Sequence, residues 1–184
     1  LYCSSGITSY ISGYLAKDTP LIIDGKVVIL KAETKIKFFE KDKGKRRYIS
    51  GYLAKDTDIS FQGKNILFKG GRKIALNYNE LCDGVDKWNV YFGYLAKDTV
   101  FKIIGKDFEF KAGYYVCSDI DGEYFQSGYL TKDMTMEMEG KKVTYGANKA
   151  ILFEKKGNKI QVFNYPDVTN EEYGKIISNP VAID

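Results

Sequence analysis

The sequence predicts an all-β protein: an antiparallel meander of four four-stranded repeats, curled into a roll, an open barrel or a sandwich, with a short C-terminal helix. Three observations predict it. The string GYLAKDT opens at Gly13, Gly51 and Gly93, and returns as GYLTKDM at Gly128. A second glycine follows each of these at one fixed interval, at Gly25, Gly63, Gly105 and Gly140, and a lysine follows each second glycine. Apolar and polar residues alternate around it. A constant interval with divergent content is what a hairpin register demands.

Each unit reads as four strands. The first carries Leu21/Ile23, Ile59/Phe61, Phe101/Ile103 and Met136/Met138 at alternating positions. Asp24-Gly25, Gln62-Gly63, Ile104-Gly105 and Glu139-Gly140 then make two-residue turns. The second strand carries Val28/Leu30, Ile66/Phe68, Phe108/Phe110 and Val143/Tyr145. The residues between are mostly polar, with Ile22 the main exception. A small residue (Ala32, Gly70, Ala112, Ala147) turns the chain into a third strand with Ile36/Phe38, Ile74/Leu76, Val116 and Ile151/Phe153. A loop holding Gly44, Gly84, Gly122 or Gly157 leads to a fourth strand (RRYIS, KWNVYF, EYFQS, KIQVF). The corner GYLAKDT then starts the next unit: Gly for an unusual backbone, Tyr and Leu for packing, Ala-Lys-Asp-Thr for a turn.

The units span 13–50, 51–92, 93–127 and 128–165, within one domain over 1–184, followed by a tail at 166–184. Gly6 stands before Gly13 as Gly44 stands before Gly51, so the chain opens inside the end of an earlier unit. Asn164-Tyr165-Pro166-Asp167 reads as a worn GYLAKD. The tail has a threonine cap, acidic residues and a closing Asn-Pro, which predicts a helix at about 169–178. The start at Leu1 rather than Met suggests a processed or trimmed product.

Alternation makes each strand dry on one face and wet on the other. A flat open sheet of that kind would leave a long apolar face in water, so the sheet is expected to fold that face inward. The alternative is a four-bladed propeller, whose inner strands would be apolar on both sides.

The order G-Y-L-x-K-D-T, then G-K with alternating apolar residues, then a glycine before the next G-Y-L, is similar to Gly-aromatic hairpin repeats of uncharacterised bacterial exported proteins. It is loosely MORN-like over residues 6–165. The closely spaced Tyr-Gly pairs of MORN repeats are not matched, so that family's lipid-binding roles are not carried over. The resemblance implies a bacterial β-repeat protein that is exported, in the periplasm, on the cell surface or secreted, with no catalytic residue to transfer.

Composition excludes much chemistry. There is no histidine, which removes His general bases, Ser-His-Asp and Cys-His nucleophile systems and most zinc and haem sites. The 28 basic and 24 acidic residues are interleaved and leave a net charge of +4, which argues against nucleic-acid binding. The basic run KDKGKRR at 41–47 reads as a solvated turn. No apolar run is long enough for a transmembrane helix. No P-loop, dinucleotide fingerprint, cofactor site or metal site is expected. FKGGRK at 68–73 lacks Walker spacing, and DIDG at 119–122 is only a fragment of a calcium loop.

The candidate binding residues are Tyr14, Tyr52, Tyr94 and Tyr129, which share one repeated position with Tyr165, and Trp88, the single tryptophan. An aromatic row can stack sugars or side chains, and it can equally fill the same structural slot in every unit. Lys17-Asp18, Lys55-Asp56, Lys97-Asp98 and Lys132-Asp133 read as turn residues rather than a site. Cys3, Cys82 and Cys117 fall at nearly equivalent positions; in one flat sheet Cys82 and Cys117 are too far apart for a disulfide, and they are expected to be free unless the sheet curls enough to bring them together. Cys3 followed by Ser-Ser-Gly is a weak fit to a lipid-anchored N-terminus. The expected function is a non-enzymatic exported scaffold or binding module for protein or glycan. The alternative is a small His-independent hydrolase or lyase using carboxylate, Lys or Tyr groups of the divergent loops at 41–47, 79–88 and 119–123.

Overall fold

The computed structural model describes residues 7–41, 46–61, 63–80, 86–118, 125–138, 140–156 and 159–164. The expected C-terminal helix, Tyr165, Cys3, Cys82, the DIDG segment and most of the divergent loops lie outside them. Among the described residues, nine strands form one sheet in the order β1 (Ile7–Tyr14), β4 (Lys35–Lys41), β5 (Arg46–Tyr52), β8 (Lys73–Glu80), β9 (Asp86–Tyr94), β12 (Tyr115–Ser118), β13 (Phe125–Tyr129), β16 (Ala150–Lys156) and β17 (Lys159–Asn164). The other eight form four hairpins: β2 (Thr19–Ile23) with β3 (Lys26–Leu30), β6 (Thr57–Phe61) with β7 (Lys64–Phe68), β10 (Thr99–Ile103) with β11 (Lys106–Phe110), and β14 (Met134–Met138) with β15 (Lys141–Tyr145). The paired strands are antiparallel, for example Tyr14 opposite Lys35 and Thr19 opposite Leu30.

The all-β meander expected from sequence is present, and its apolar face is folded inward as two layers. The barrel does not close, since β1 and β17 stand at opposite edges of the sheet. The expected single run of strands is divided. Strands one and two of each unit leave the sheet as a hairpin, while three and four stay in it. The reason is burial: the sheet's apolar face needs a cover, and each unit supplies one. Ile49, Ile74, Leu76, Val116, Ile151 and Phe153 of the sheet share one core with Val28, Ile59, Phe68, Phe101 and Phe108 of the hairpins. Aromatic edge contacts tie the layers together, such as Phe108 against Phe153 at 5.1 Å and Phe61 against Phe125 at 6.0 Å.

The two-residue turns form as expected. Asp24 and Gly25 have φ of 48° and 74°, and Ile104 and Gly105 have 50° and 73°, the double left-handed geometry of a type I′ hairpin turn. The corner glycines differ from expectation. Left-handed angles do not occur at Gly13, Gly51, Gly93 or Gly128. Those residues lie in extended strands, and the last three stand in a row running Gly51–Ile74–Gly93–Val116–Gly128–Ile151–Asn164 across the sheet. What they provide is room. A β-carbon at Gly51 would stand 3.0 Å from Leu30, at Gly93 2.5 Å from Phe68, and at Gly128 2.6 Å from Phe110. Each of the first three hairpins therefore ends in a large apolar residue seated on the next unit's glycine. Asn164 holds the glycine's place in that row, in register with the reading of NYPD as a worn corner.

Candidate binding face of the sheet

The corner GYLAKDT positions the candidate tyrosines. Its aspartate clamps the turn between the second and third strands. The Oδ1 atoms of Asp18, Asp56, Asp98 and Asp133 accept hydrogen bonds from the backbone N–H of Ala32, Gly70, Ala112 and Ala147, each at 2.7 Å. Thr19, Thr57 and Thr99 donate from Oγ1 to the carbonyls of Lys17, Lys55 and Lys97. The corner leucine joins the same turn: Leu53 N–H donates to Arg72 O at 3.0 Å, and Gly71 N–H donates to Leu53 O at 2.7 Å. Lys-Asp is thus a turn device, as its repetition suggests.

With Leu53, Leu95 and Leu130 buried and the glycines facing the hairpins, strand alternation sends each corner tyrosine to the opposite face. There the register builds one row across the sheet. Tyr14 pairs with Lys35, Tyr52 with Lys73, Tyr94 with Tyr115, and Tyr129 with Ala150. The four candidate tyrosines thus fall at one level across the sheet. Exposure varies along the row: Tyr14 is 75 % exposed, Tyr52 and Tyr129 are half-buried, and Tyr94 is only 8 % exposed. In its buried middle, Tyr115 meets Tyr94 and Tyr129 edge-on at 6.5 and 5.4 Å, and Arg72 lies 4.2 Å over the Tyr94 ring. The more open stretch is Tyr14, Lys35 and Tyr52.

Trp88 does not join this row. It packs partly buried against the hairpin-side core, its ring 5.2 Å from Tyr78, and its backbone N–H donates to Asp24 Oδ1 at the first hairpin turn. It is a packing residue on the other face.

Lys35 and Lys73 were not singled out by the sequence, although they stand at the same offset after Tyr14 and Tyr52 as Tyr115 after Tyr94. That offset was the available signal. Lys37 is their neighbour on the same face, between Ser12 and Ser50. Burial, then the charges of Lys37 and Lys35, lower the Lys73 ammonium to a pKa of about 8. Three lysines thus crowd one tyrosine-lined stretch.

Beside the row on the same face, and sharing Tyr94 and Tyr115 with it, lies a second cluster of Phe39, Tyr48, Ala75, Phe92, Tyr94, Tyr115 and Cys117. Tyr48 stacks on Phe39 at 4.8 Å, and its buried hydroxyl has no hydrogen-bond partner among the described residues. Burial, with Tyr91 and Cys117 nearby, holds that phenol well above its usual pKa. Cys117 is a buried thiol whose Sγ lies 2.8 Å from Ser127 Oγ. Among the described residues, no group of three or more metal-ligating side chains is found, and no helix is long and apolar enough to cross a membrane. No protein family, curated protein or solved structure matches this chain.

Proposed function

We propose that this chain is a non-enzymatic scaffold and binding module, exported by a bacterium, whose open tyrosine–lysine row holds a glycan or protein segment bearing acidic groups. The observation that carries the reading is the order Tyr14–Lys35 beside Tyr52–Lys73 on the face away from the hairpins. Aromatic faces stack on sugar rings or side chains at little entropic cost, and ammonium groups between them pair with carboxylates. The lowered pKa of Lys73 supports the acidic part of the reading, because an anion set between Lys35, Lys37 and Lys73 would relieve their mutual repulsion. Export rests on the Gly-aromatic repeat resemblance alone.

The test is an array of acidic and neutral glycans and acidic peptides probed with the intact protein and with Tyr52→Ala and Lys35→Met variants. Binding confined to acidic ligands and weakened about tenfold by either substitution is the expected result. Binding that ignores both substitutions, or none on any ligand, would overturn the reading.

A further inference from the structure

Two positions after the small residue of each turn stand Thr34, Arg72, Tyr114 and Lys149. Strand pairing can bring this slot beside the corner tyrosine of the next unit. In the second unit Ile74 lies opposite Gly93, and Arg72 reaches over Tyr94, its guanidinium carbon 4.2 Å from the ring centroid. In the third unit Val116 lies opposite Gly128, and Tyr114 reaches over Tyr129 in the same way. Their ring centroids are 4.6 Å apart and their planes inclined by 35°. Thr34 instead folds back on its own turn, donating from Oγ1 to Lys31 O at 2.6 Å. The repeat supplies the place, and the third unit fills it with a second phenol.

Other tyrosine pairs among the described residues meet differently. Tyr94–Tyr115 and Tyr115–Tyr129 meet edge-on, inclined by 82° and 85°, and Tyr48–Tyr91 is inclined by 66°. Tyr48, Tyr94 and Tyr115 are also buried. Tyr114 and Tyr129 are both half-buried, so each ring keeps a part that solvent reaches. Offset rings at a shallow inclination lay ring carbons alongside one another, whereas an edge-on ring points at its neighbour's face. Lys111 ties the two together. Its ammonium lies 5.5 Å over the Tyr114 ring, and its backbone N–H donates to Tyr129 O at 2.8 Å. Contact, shallow inclination and access on both sides thus coincide at Tyr114 and Tyr129 and at none of the other three pairs.

We propose that Tyr114 and Tyr129 form an oxidative cross-linking site, which a peroxidase-type enzyme working on hydrogen peroxide converts to a dityrosine. Each phenol loses one electron and its proton, and the two phenoxyl radicals couple through ring carbons ortho to oxygen. Each coupled carbon then gives up its hydrogen as a proton, and each oxygen regains one. One carbon–carbon bond forms, the protein loses two hydrogen atoms, and one peroxide is reduced to two waters. The bond fastens the turn after the third hairpin to the corner of the fourth unit. It closes a loop of about 15 residues, long enough for a cross-link to restrict the unfolded chain.

The test treats the intact protein, at low concentration, with a plant peroxidase and hydrogen peroxide. The monomer-sized fraction is then isolated and its linked peptides mapped by mass spectrometry. A fluorescent dityrosine joining the Tyr114 and Tyr129 peptides is expected, with a urea midpoint above that of the untreated protein. Tyr114→Phe and Tyr129→Phe keep the packed ring and remove the phenol, so each should fold and lose the linkage. Tyr10→Phe, at an exposed ring outside the pair, should keep it. No dityrosine in the monomer fraction, linkage through other tyrosines, or an unchanged yield in Tyr114→Phe would overturn the proposal. Cross-linking between chains only would do the same.

Discussion

Phe68 lies against Gly93 so closely that a β-carbon on residue 93 would come within 2.5 Å of the ring. The ring belongs to a hairpin and the glycine to the sheet, so this contact sets how near the two layers of neighbouring units stand. Gly93→Ala should destabilise the protein by about 2 kcal/mol, the cost of overpacking a core that must shift as a whole. Gly51→Ala should cost less, because Leu30 stands at 3.0 Å and its end can turn aside. Gly13→Ala should stabilise by about 0.5 kcal/mol, by lowering backbone entropy in a strand with open space above it. Urea unfolding midpoints in the order Gly13→Ala, wild type, Gly51→Ala, Gly93→Ala check the account; equal midpoints would remove it.

The aspartate clamp should be separable from its charge. Asp98→Ala strands the Ala112 N–H and should cost about 1 kcal/mol. Asp98→Asn keeps an acceptor oxygen at the same place and should cost clearly less. Thermal melting of the two variants side by side distinguishes them, and an equal loss would point to charge rather than the hydrogen bond.

Ile104 occupies a left-handed turn position at φ 50°, where a β-branched side chain is strained. It is 47 % exposed, so little packing is lost on replacing it. Ile104→Asn should raise stability by about 1 kcal/mol. A lower melting temperature for this variant would show that the isoleucine packs in a way that outweighs the strain.

Lys73 makes stability depend on pH. Its folded pKa of about 8 lies below the ordinary 10.5. Between those values the unfolded chain binds more protons than the folded one, so stability rises with pH through that window. Below about 8 both states carry the proton and the contribution is flat. The melting temperature should therefore climb from pH 7.5 to about pH 9.5, and Lys73→Met should be more stable at pH 7.5 and lose the climb. Above about pH 10 the Tyr48 phenol, held protonated in the fold, works in the opposite direction. A wild-type profile that falls between pH 7.5 and 9.5 contradicts this assignment.

Much of the architecture could be read from intervals. The spacing from Gly13 to Gly25 and its copies located every hairpin turn, because a two-residue loop tolerates no insertion without flipping each side chain to the wrong face. The tyrosine–lysine row was half legible. The tyrosines were visible as copies of one letter, whereas Lys35 and Lys73 became their neighbours only through strand pairing across a turn. Trp88 stands out in the sequence by rarity, and rarity carries no information about which face a residue takes. The corner glycines read as backbone conformers in the sequence because a glycine gives no sign of what approaches it.

The sequence by itself determined the strands, their turns and the corner at which units meet, since these depend on local periodicity and on residues a few positions apart. The tertiary structure alone decided that two strands of each unit leave the sheet to cover it. That choice depends on where the apolar face of nine strands can be hidden from water, and on Phe68 or Leu30 finding a glycine in the next unit. Both are contacts between segments far apart in the chain, and no interval within one unit records them.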